Sequence, residues 1–429
     1  MKFTSWGRIY ESDAKLKILQ QKFPLELDAH YLAIGSRRSY GDVGLNTNGY
    51  ILSTQCLTYF TSFDAESGIL ECESGVILKQ IQDVFIPRGW ILPVTPGTQL
   101  ITVGGAIAND VHGKNHHQRG SFGHYVKQIE LQTSTQGRII CSREQHKDLF
   151  EATVGGVGLT GVILKAQIQL IRVPSPYVKV ESIAFTGVQE FLTLTHQSNQ
   201  VWEYTVSWID CLSGKNVKGI FMRANHVKLD EINHIKLPFK KTFSIPFKPS
   251  FSCVNKLSLK TFNWWYYHTK KSSKTVVQHF YQFQYPLDGI DNWNVLYGDK
   301  GFYQYQCVIP WEFATEAIEH LLELIQHYQQ GSFLVVLKAF GDQLSEGLLS
   351  FPLPGVTLAL DFPNQGQTTL DLFKKMDEIV VKYKGRLYLA KDHRMPKDIF
   401  MQTYLNISEF EKFRDPQISS DLAKRLFGN

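Results

Sequence analysis

Between Pro93 and Gly123 lie Gly97, Gly104, Gly105, Gly113, Gly120 and Gly123, with few large apolar side chains among them. Such a stretch cannot build a core of its own. It must be loop and turn laid against something, because glycine lets a backbone bend freely and approach a flat ligand closely. Within it, Pro96-Gly97-Thr98 precedes Thr102-Val103-Gly104-Gly105-Ala106-Ile107-Ala108-Asn109-Asp110-Val111-His112-Gly113, where Ala106 and Ala108 also permit close approach. Upstream, Gly35-Ser36-Arg37-Arg38-Ser39-Tyr40-Gly41-Asp42 follows a strand candidate. Its glycines and serine free amide N–H groups and its arginines add positive charge, the combination that a pyrophosphate needs. A plain polar turn is the competing reading. Two such loops can clasp a long dinucleotide from both sides.

A chain of 429 residues is long for one core, so two domains are expected. The N-terminal part reads as mixed α/β. Strands are expected at 31–34, 50–53, 68–74, 126–133, 138–142 and 162–173, with helices at 76–85 and 148–153. Pro174 and Pro176 mark a boundary. Beyond it, strand-like runs at 202–209, 303–309, 332–339 and 357–362 alternate with helical patterns at 311–328 and 369–383. An antiparallel sheet with helices on one face fits.

Gly156-Val-Gly-Leu-Thr-Gly161 matches GxGxxG, but a helix precedes it and a strand follows, the reverse of a dinucleotide fingerprint. It reads as a turn. His112, His116, His117 and His124 have no carboxylate pair beside them, so no metal is expected, and His112 is better placed against a ring system. Lys391-Asp392-His393-Arg394 is costly to bury unless paired or used; a surface loop is the alternative. Gln304 and Gln306 share one strand face and could read sugar hydroxyls, or they line a solvated sheet. Lys338 sits in an apolar run on the same logic.

Lys228, Lys236, Lys240, Lys241, Lys248, Lys256 and Lys260 form the densest basic cluster, read either as a solvated surface segment or as a patch for an anionic lipid or phosphate. The six cysteines show no CxxC spacing, and no signal peptide or membrane-length apolar run is seen. A cytoplasmic setting with free thiols is expected, with peripheral membrane contact compatible and nucleic acid not expected as a partner.

Pro96-Gly-Thr98, the run from Thr102 to His117, and Gly120-Ser-Phe-Gly123 resemble the FAD-binding fold of the vanillyl-alcohol oxidase superfamily. Adding Ala152–Gly156, Gly158–Gly161, Phe302–Pro310, Phe351–Gly355 and Ala390-Lys-Asp392, the chain is similar to the decaprenylphosphoryl-β-D-ribose oxidase family over nearly its whole length. The resemblance implies an α+β protein. An FAD-binding domain at 1–175, completed by 386–429, would flank a substrate domain at 176–385 with an antiparallel sheet flanked by helices. It implies FAD contacts at Gly35, Ser36, Arg37, Arg38, Ser39, Tyr40, Gly41, Asp42, Gly97, Thr98, Thr102, Val103, Gly104, Gly105, Asn109, His112, Gly113, Asn115, Ile163 and Tyr388. Lys391 corresponds to a catalytic lysine. Lys338, Gln304, Gln306, Tyr297 and Tyr40 correspond to active-site lining residues.

The implied reaction is oxidation of the C2 hydroxyl of a polyprenyl-phosphoryl ribose by hydride transfer to flavin N5, with a partner short-chain reductase completing an epimerisation. An aldonolactone, alditol or nucleotide-sugar oxidase, or a non-catalytic FAD scaffold, are the rival readings. Two departures stand out: Arg37 replaces a family glycine, and Ala359 stands where the mycobacterial enzyme has cysteine. Covalent relatives link FAD through the position of His112; the most similar enzymes do not, so non-covalent FAD is expected.

Overall fold

In the computed structural model the described residues are 1–19, 29–232, 243–245, 249–271 and 275–428. Lys236, Lys240, Lys241 and Lys248 lie outside them. The first sheet is parallel and has the strands Lys15–Ile18, Tyr50–Ser53 and Tyr31–Ile34. Tyr31, Leu32 and Ile34 are buried, and Ile34 delivers the chain directly into Gly35.

A five-stranded antiparallel sheet follows in the order Gly137–Ser142, Val126–Thr133, Val162–Gln169, Ile69–Glu73, Phe60–Asp64. Helix Leu78–Phe85 buries Leu78, Ile81 and Phe85 in the core that also holds Val103, Ala106, Ile107 and Phe122. The helix starts two residues later than its periodicity suggests, because Ile77 is an extended cap whose N–H donates to Gln80 Oε1 at 2.8 Å. Helix Lys147–Thr153 and strand Val162–Gln169 flank the GxGxxG segment, the order that the sequence reading anticipated.

The second half forms one eight-stranded sheet in the order Val276–His279, Tyr177–Thr186, Lys218–His226, Tyr204–Ile209, Val335–Phe340, Gly355–Pro363, Phe302–Pro310, Arg386–Leu387, antiparallel throughout. Side chains alternate across it with period two. Tyr305, Cys307, Leu337, Leu358 and Leu360 face a core shared with helices Val188–Ser198, Ala314–Tyr328 and Gln367–Lys382. Gln304, Gln306, Val336, Lys338, Thr357, Ala359 and Asp361 fall on the other face, toward a cavity. Strands Tyr177–Thr186 and Lys218–His226 escaped the sequence reading, as did helix Lys256–Lys270, which lies within the basic segment read as a solvated surface or an anion-binding patch.

After its edge strand the chain returns to the N-terminal half. Tyr31 N–H donates to Gln417 O at 2.9 Å, and Asp421 accepts from Thr47 N–H and hydroxyl at 2.8 and 2.7 Å. Arg425 grips Asp42 with two bonds of 2.8 and 2.9 Å and lies 3.2 Å from Asp392. Replacing Arg425 with Ala strands two buried carboxylates without their shared cation. We expect urea denaturation of Arg425→Ala to show a loss of about 3 kcal/mol; a change under about 1 kcal/mol would mean that packing alone holds the tail.

Candidate active site

The glycine loops, the large sheet and the tail enclose a cavity of about 420 Å³. Of the sequence-predicted residues, Gly35, Ser36, Arg37, Arg38, Ser39, Tyr40, Gly41, Gly97, Thr98, Thr102, Gly104, Gly105, Asn109, His112, Gly113, Ile163, Gln304, Gln306, Lys338, Tyr388 and Lys391 line it. Four do not. Asp42 turns to Arg425. Val103 is fully buried in the core of the five-stranded sheet. Asn115 donates to Pro93 O at 2.8 Å and Glu203 at 3.1 Å. Tyr297 stacks on Phe302 at 4.2 Å, behind Tyr40.

Glycine is required where the loops meet. A Cβ on Gly35 would stand 2.1 Å from Thr102 Oγ1, and one on Gly41 would stand 1.8 Å from Asp392 O. Arg37 takes the left-handed conformation, at φ 52°, which glycine adopts freely and which costs a side chain about 1 kcal/mol. Its guanidinium lies 5.7 Å from the Phe3 ring, and that of Arg38 lies 4.1 Å from Trp6.

The loop side fits a large polar ligand. Cβ atoms on Gly44, Gly97 or Gly158 would project into open space at the cavity wall. Ser74 and Asn109 also line the cavity, and Ser74 Oγ and Asn109 Oδ1 are buried with no hydrogen-bond partner among the described residues. Buried polar groups are costly when unsatisfied, so a ligand that supplies their partners is favoured. Val157 and Gly158 were missed by the sequence reading, because the GxGxxG turn was judged only as a Rossmann candidate, and Ser74 because it reads as the end of a strand.

On the sheet side, burial sets the protonation states. Lys391 is half-buried, with Nζ 4.0 Å from the Tyr40 ring, and desolvation pulls its pKa down against the opposing pull of Asp361. Burial raises the pKa of Asp361 in turn, although Gln304 Nε2 donates to it at 2.7 Å and Lys391 attracts its anion. Asp361 was missed. Its signal was a lone carboxylate in the apolar strand candidate at 357–362; the register places it opposite Gln304.

Lys338 and His112 form a second unit. Thr357 hydroxyl donates to Cys307 O at 2.9 Å, which leaves its lone pairs for the Gln306 amide at 3.3 Å and fixes that amide's orientation. Gln306 Nε2 then donates to His112 Nε2 at 3.1 Å, so Nδ1 carries the imidazole proton. Nδ1 lies 2.9 Å from Lys338 Nζ, which donates to Gly113 O at 2.6 Å. The chain closes only if Lys338 is a neutral amine that accepts from Nδ1–H. Burial lowers its pKa to about 7, and holds His112 well below the ordinary histidine value, in agreement. Tyr388 donates to Asn109 O at 2.9 Å and stacks on Phe351 at 4.5 Å, packing the tail against this unit.

A sequence profile for an FAD binding domain matches residues 22–142. The chain is 34% identical over 413 residues to decaprenylphosphoryl-β-D-ribose oxidase of Mycolicibacterium smegmatis, covering 92% of this chain and 88% of that one. It is 26% identical to an uncharacterized protein in the mprA 5' region of Streptomyces coelicolor, over 82% of this chain and all of that one. D-lactate dehydrogenase of Archaeoglobus fulgidus is 34% identical over 128 residues, 28% of each chain.

The Gly35–Thr102 contact yields a test. Gly35→Val must part the two loops, at the 1–3 kcal/mol scale of an overpacked contact. We expect FAD affinity, measured by fluorescence titration of stripped protein, to fall by about tenfold or more. Unchanged affinity would place the cofactor elsewhere.

Proposed function

Because the chain belongs to the decaprenylphosphoryl-β-D-ribose oxidase family and is an FAD-dependent oxidoreductase acting on CH–OH groups, we propose that its substrate is a polyprenyl-phosphoryl ribose oxidised at the C2 hydroxyl. One observation carries this reading: a half-buried lysine, Lys391, lies over the Tyr40 ring and within electrostatic reach of Asp361, in a cavity also lined by Gln304, Gln306 and Lys338 of the sheet. Such a wall offers the hydrogen-bonding groups that a sugar needs without excess charge.

FAD, when bound, supplies the hydride acceptor at its N5. The protein's own groups do the rest. Lys391 in its neutral form takes the hydroxyl proton, and Asp361 beside it can hold the positive charge that results. Gln304 fixes Asp361. Lys338 and Gln306 orient the remaining hydroxyls. Loops within 1–175, with 386–429, hold the cofactor, and 176–385 supply the substrate wall. The ketone product requires reduction by a partner enzyme to complete an epimerisation, and a polyprenyl substrate places the work at a membrane surface.

The flavin is held without a covalent bond. Both ring nitrogens of His112 are engaged, by Gln306 and Lys338, so neither is free to bond a flavin. Acid precipitation should leave the yellow chromophore in the supernatant; colour retained in the pellet would overturn this.

Lys391→Ala should remain yellow, while anaerobic reduction by polyprenyl-phosphoryl ribose slows by roughly 10²–10⁴-fold. In the wild type the lysine pKa is lowered to about 8. A base works when deprotonated, so kcat/KM should rise with pH through that region and level off above it. Full-speed reduction by Lys391→Ala would remove the lysine from the reaction. Bleaching by a simple alditol but not by the lipid-linked sugar would shift the substrate to the rival class.

A further inference from the structure

Residues 232–287 contain nine lysines and no arginine, aspartate or glutamate. That segment alone carries +9, whereas the whole chain nets +5, so everything outside it is net negative. Ordinary protein surfaces intersperse both signs.

Helix Lys256–Lys270 lies in this segment and is anchored along one side only. Asn255 caps it, accepting from Leu257 and Ser258 N–H at 3.1 Å each. Leu259 and Asn263 are buried, and Asn263 donates to Asp210 at 2.6 Å. Tyr266 packs 4.7 Å from Trp208, and Phe262 lies 5.0 Å from Phe333. The opposite side is exposed and apolar: Leu257 is 76% exposed, Trp264 64% and Trp265 54%, with Phe251 just before the helix at 70%. Lys256, Lys260, Lys270 and Lys271 are exposed around them.

We propose that this face docks on the surface of a bilayer containing anionic lipid. Exposed tryptophan suits the membrane–water interface, an amphipathic helix can lie in its plane, and lysines without acidic neighbours are drawn to anionic headgroups. A polyanion such as nucleic acid would match the lysines but would give Leu257 and Phe251 nothing to bury against. The inner side of the same helix reaches the active site: Leu259 clusters with Tyr40, Tyr297 and Phe302, and Tyr40 walls the cavity near Lys391. A bilayer outside the helix therefore lies one packed layer from the reacting end of the cavity. The inference deepens the lipid-linked substrate reading, and its test reads lipid binding rather than oxidation.

The full-length, FAD-loaded protein is sedimented with vesicles of phosphatidylcholine, pure or containing about one-third phosphatidylglycerol. We expect at least about tenfold greater partition onto the anionic vesicles, with tryptophan emission shifted to the blue. Trp264→Ser/Trp265→Ser and Lys256→Glu/Lys260→Glu should each lower partition by about fivefold or more while keeping wild-type flavin content. Equal partition onto both vesicle types, wild-type partition by both variants, or release of bound protein by short duplex DNA in place of lipid would each overturn the proposal. A protein that docks but oxidises no lipid-linked sugar supports this surface and removes the substrate reading. One that oxidises the sugar in detergent but ignores vesicles removes only the surface.

Discussion

Arg425 joins two carboxylates from opposite ends of the chain, Asp42 behind the first glycine loop and Asp392 in the tail. Next to this knot the two segments touch backbone to backbone, which only the missing Cβ of Gly41 allows. Tyr40 N–H donates to Ala390 O at 3.3 Å in the same contact. The residues beside the seam, Tyr40 and Lys391, are thereby brought face to face at 4.0 Å. The position of the lysine is thus set by main-chain fit and by a buried ion pair, not by its own long and flexible stem. Arg394, held by Asp377 on the last long helix, ties the tail to the sheet's helical layer as well.

Lys338, buried, and Lys391, half-buried, both line the cavity wall that carries Asp361, and bringing such charges out of water is costly. The structure resolves it differently for each. Lys391 keeps a carboxylate partner, and the pair shifts toward mutual neutrality because burial acts on both. Lys338 has an imidazole instead, and a directed run of hydrogen bonds from Gln306 through His112 to Gly113 O suits its uncharged form, toward which burial shifts it. This side of the cavity is therefore rich in donors and acceptors yet low in fixed charge. A proton can be accepted there near neutral pH.

Elements with strict local periodicity were legible from the sequence. The strands at 31–34 and 50–53 coincide with the structure, and the helices at 311–328 and 369–383 differ only at their ends. Glycine density located the loops because backbone freedom leaves a compositional trace. Tyr177–Thr186 was less visible: only Val178, Val180 and Phe185 of its ten residues are fully buried, so its alternation is diluted. Asp361 was overlooked because its partners, Gln304 and Lys391, are distant in sequence and meet only through strand register and the returning tail. Asp42 and Asn115 went the other way: their motifs were recognised, but tertiary ion pairing and hydrogen bonding had already engaged their side chains.

The cavity's two sides differ in what they are made of. The loop side contributes backbone and open space, since a side chain at Gly35 or Gly41 would collide with protein and one at Gly97 or Gly158 would fill the cavity. The sheet side contributes side chains on one face of three adjacent strands, whose opposite face is locked into the helical core. Changes on the loop side must therefore disturb cofactor space or the seam that sets Lys391. On the sheet side, exchanging a cavity-facing residue such as Ala359 or Val336 alters pocket shape while every ladder hydrogen bond and the buried face stay in place. The cavity can vary on such a scaffold without loss of the fold, because period-two alternation separates the residues that line it from those that hold the sheet together.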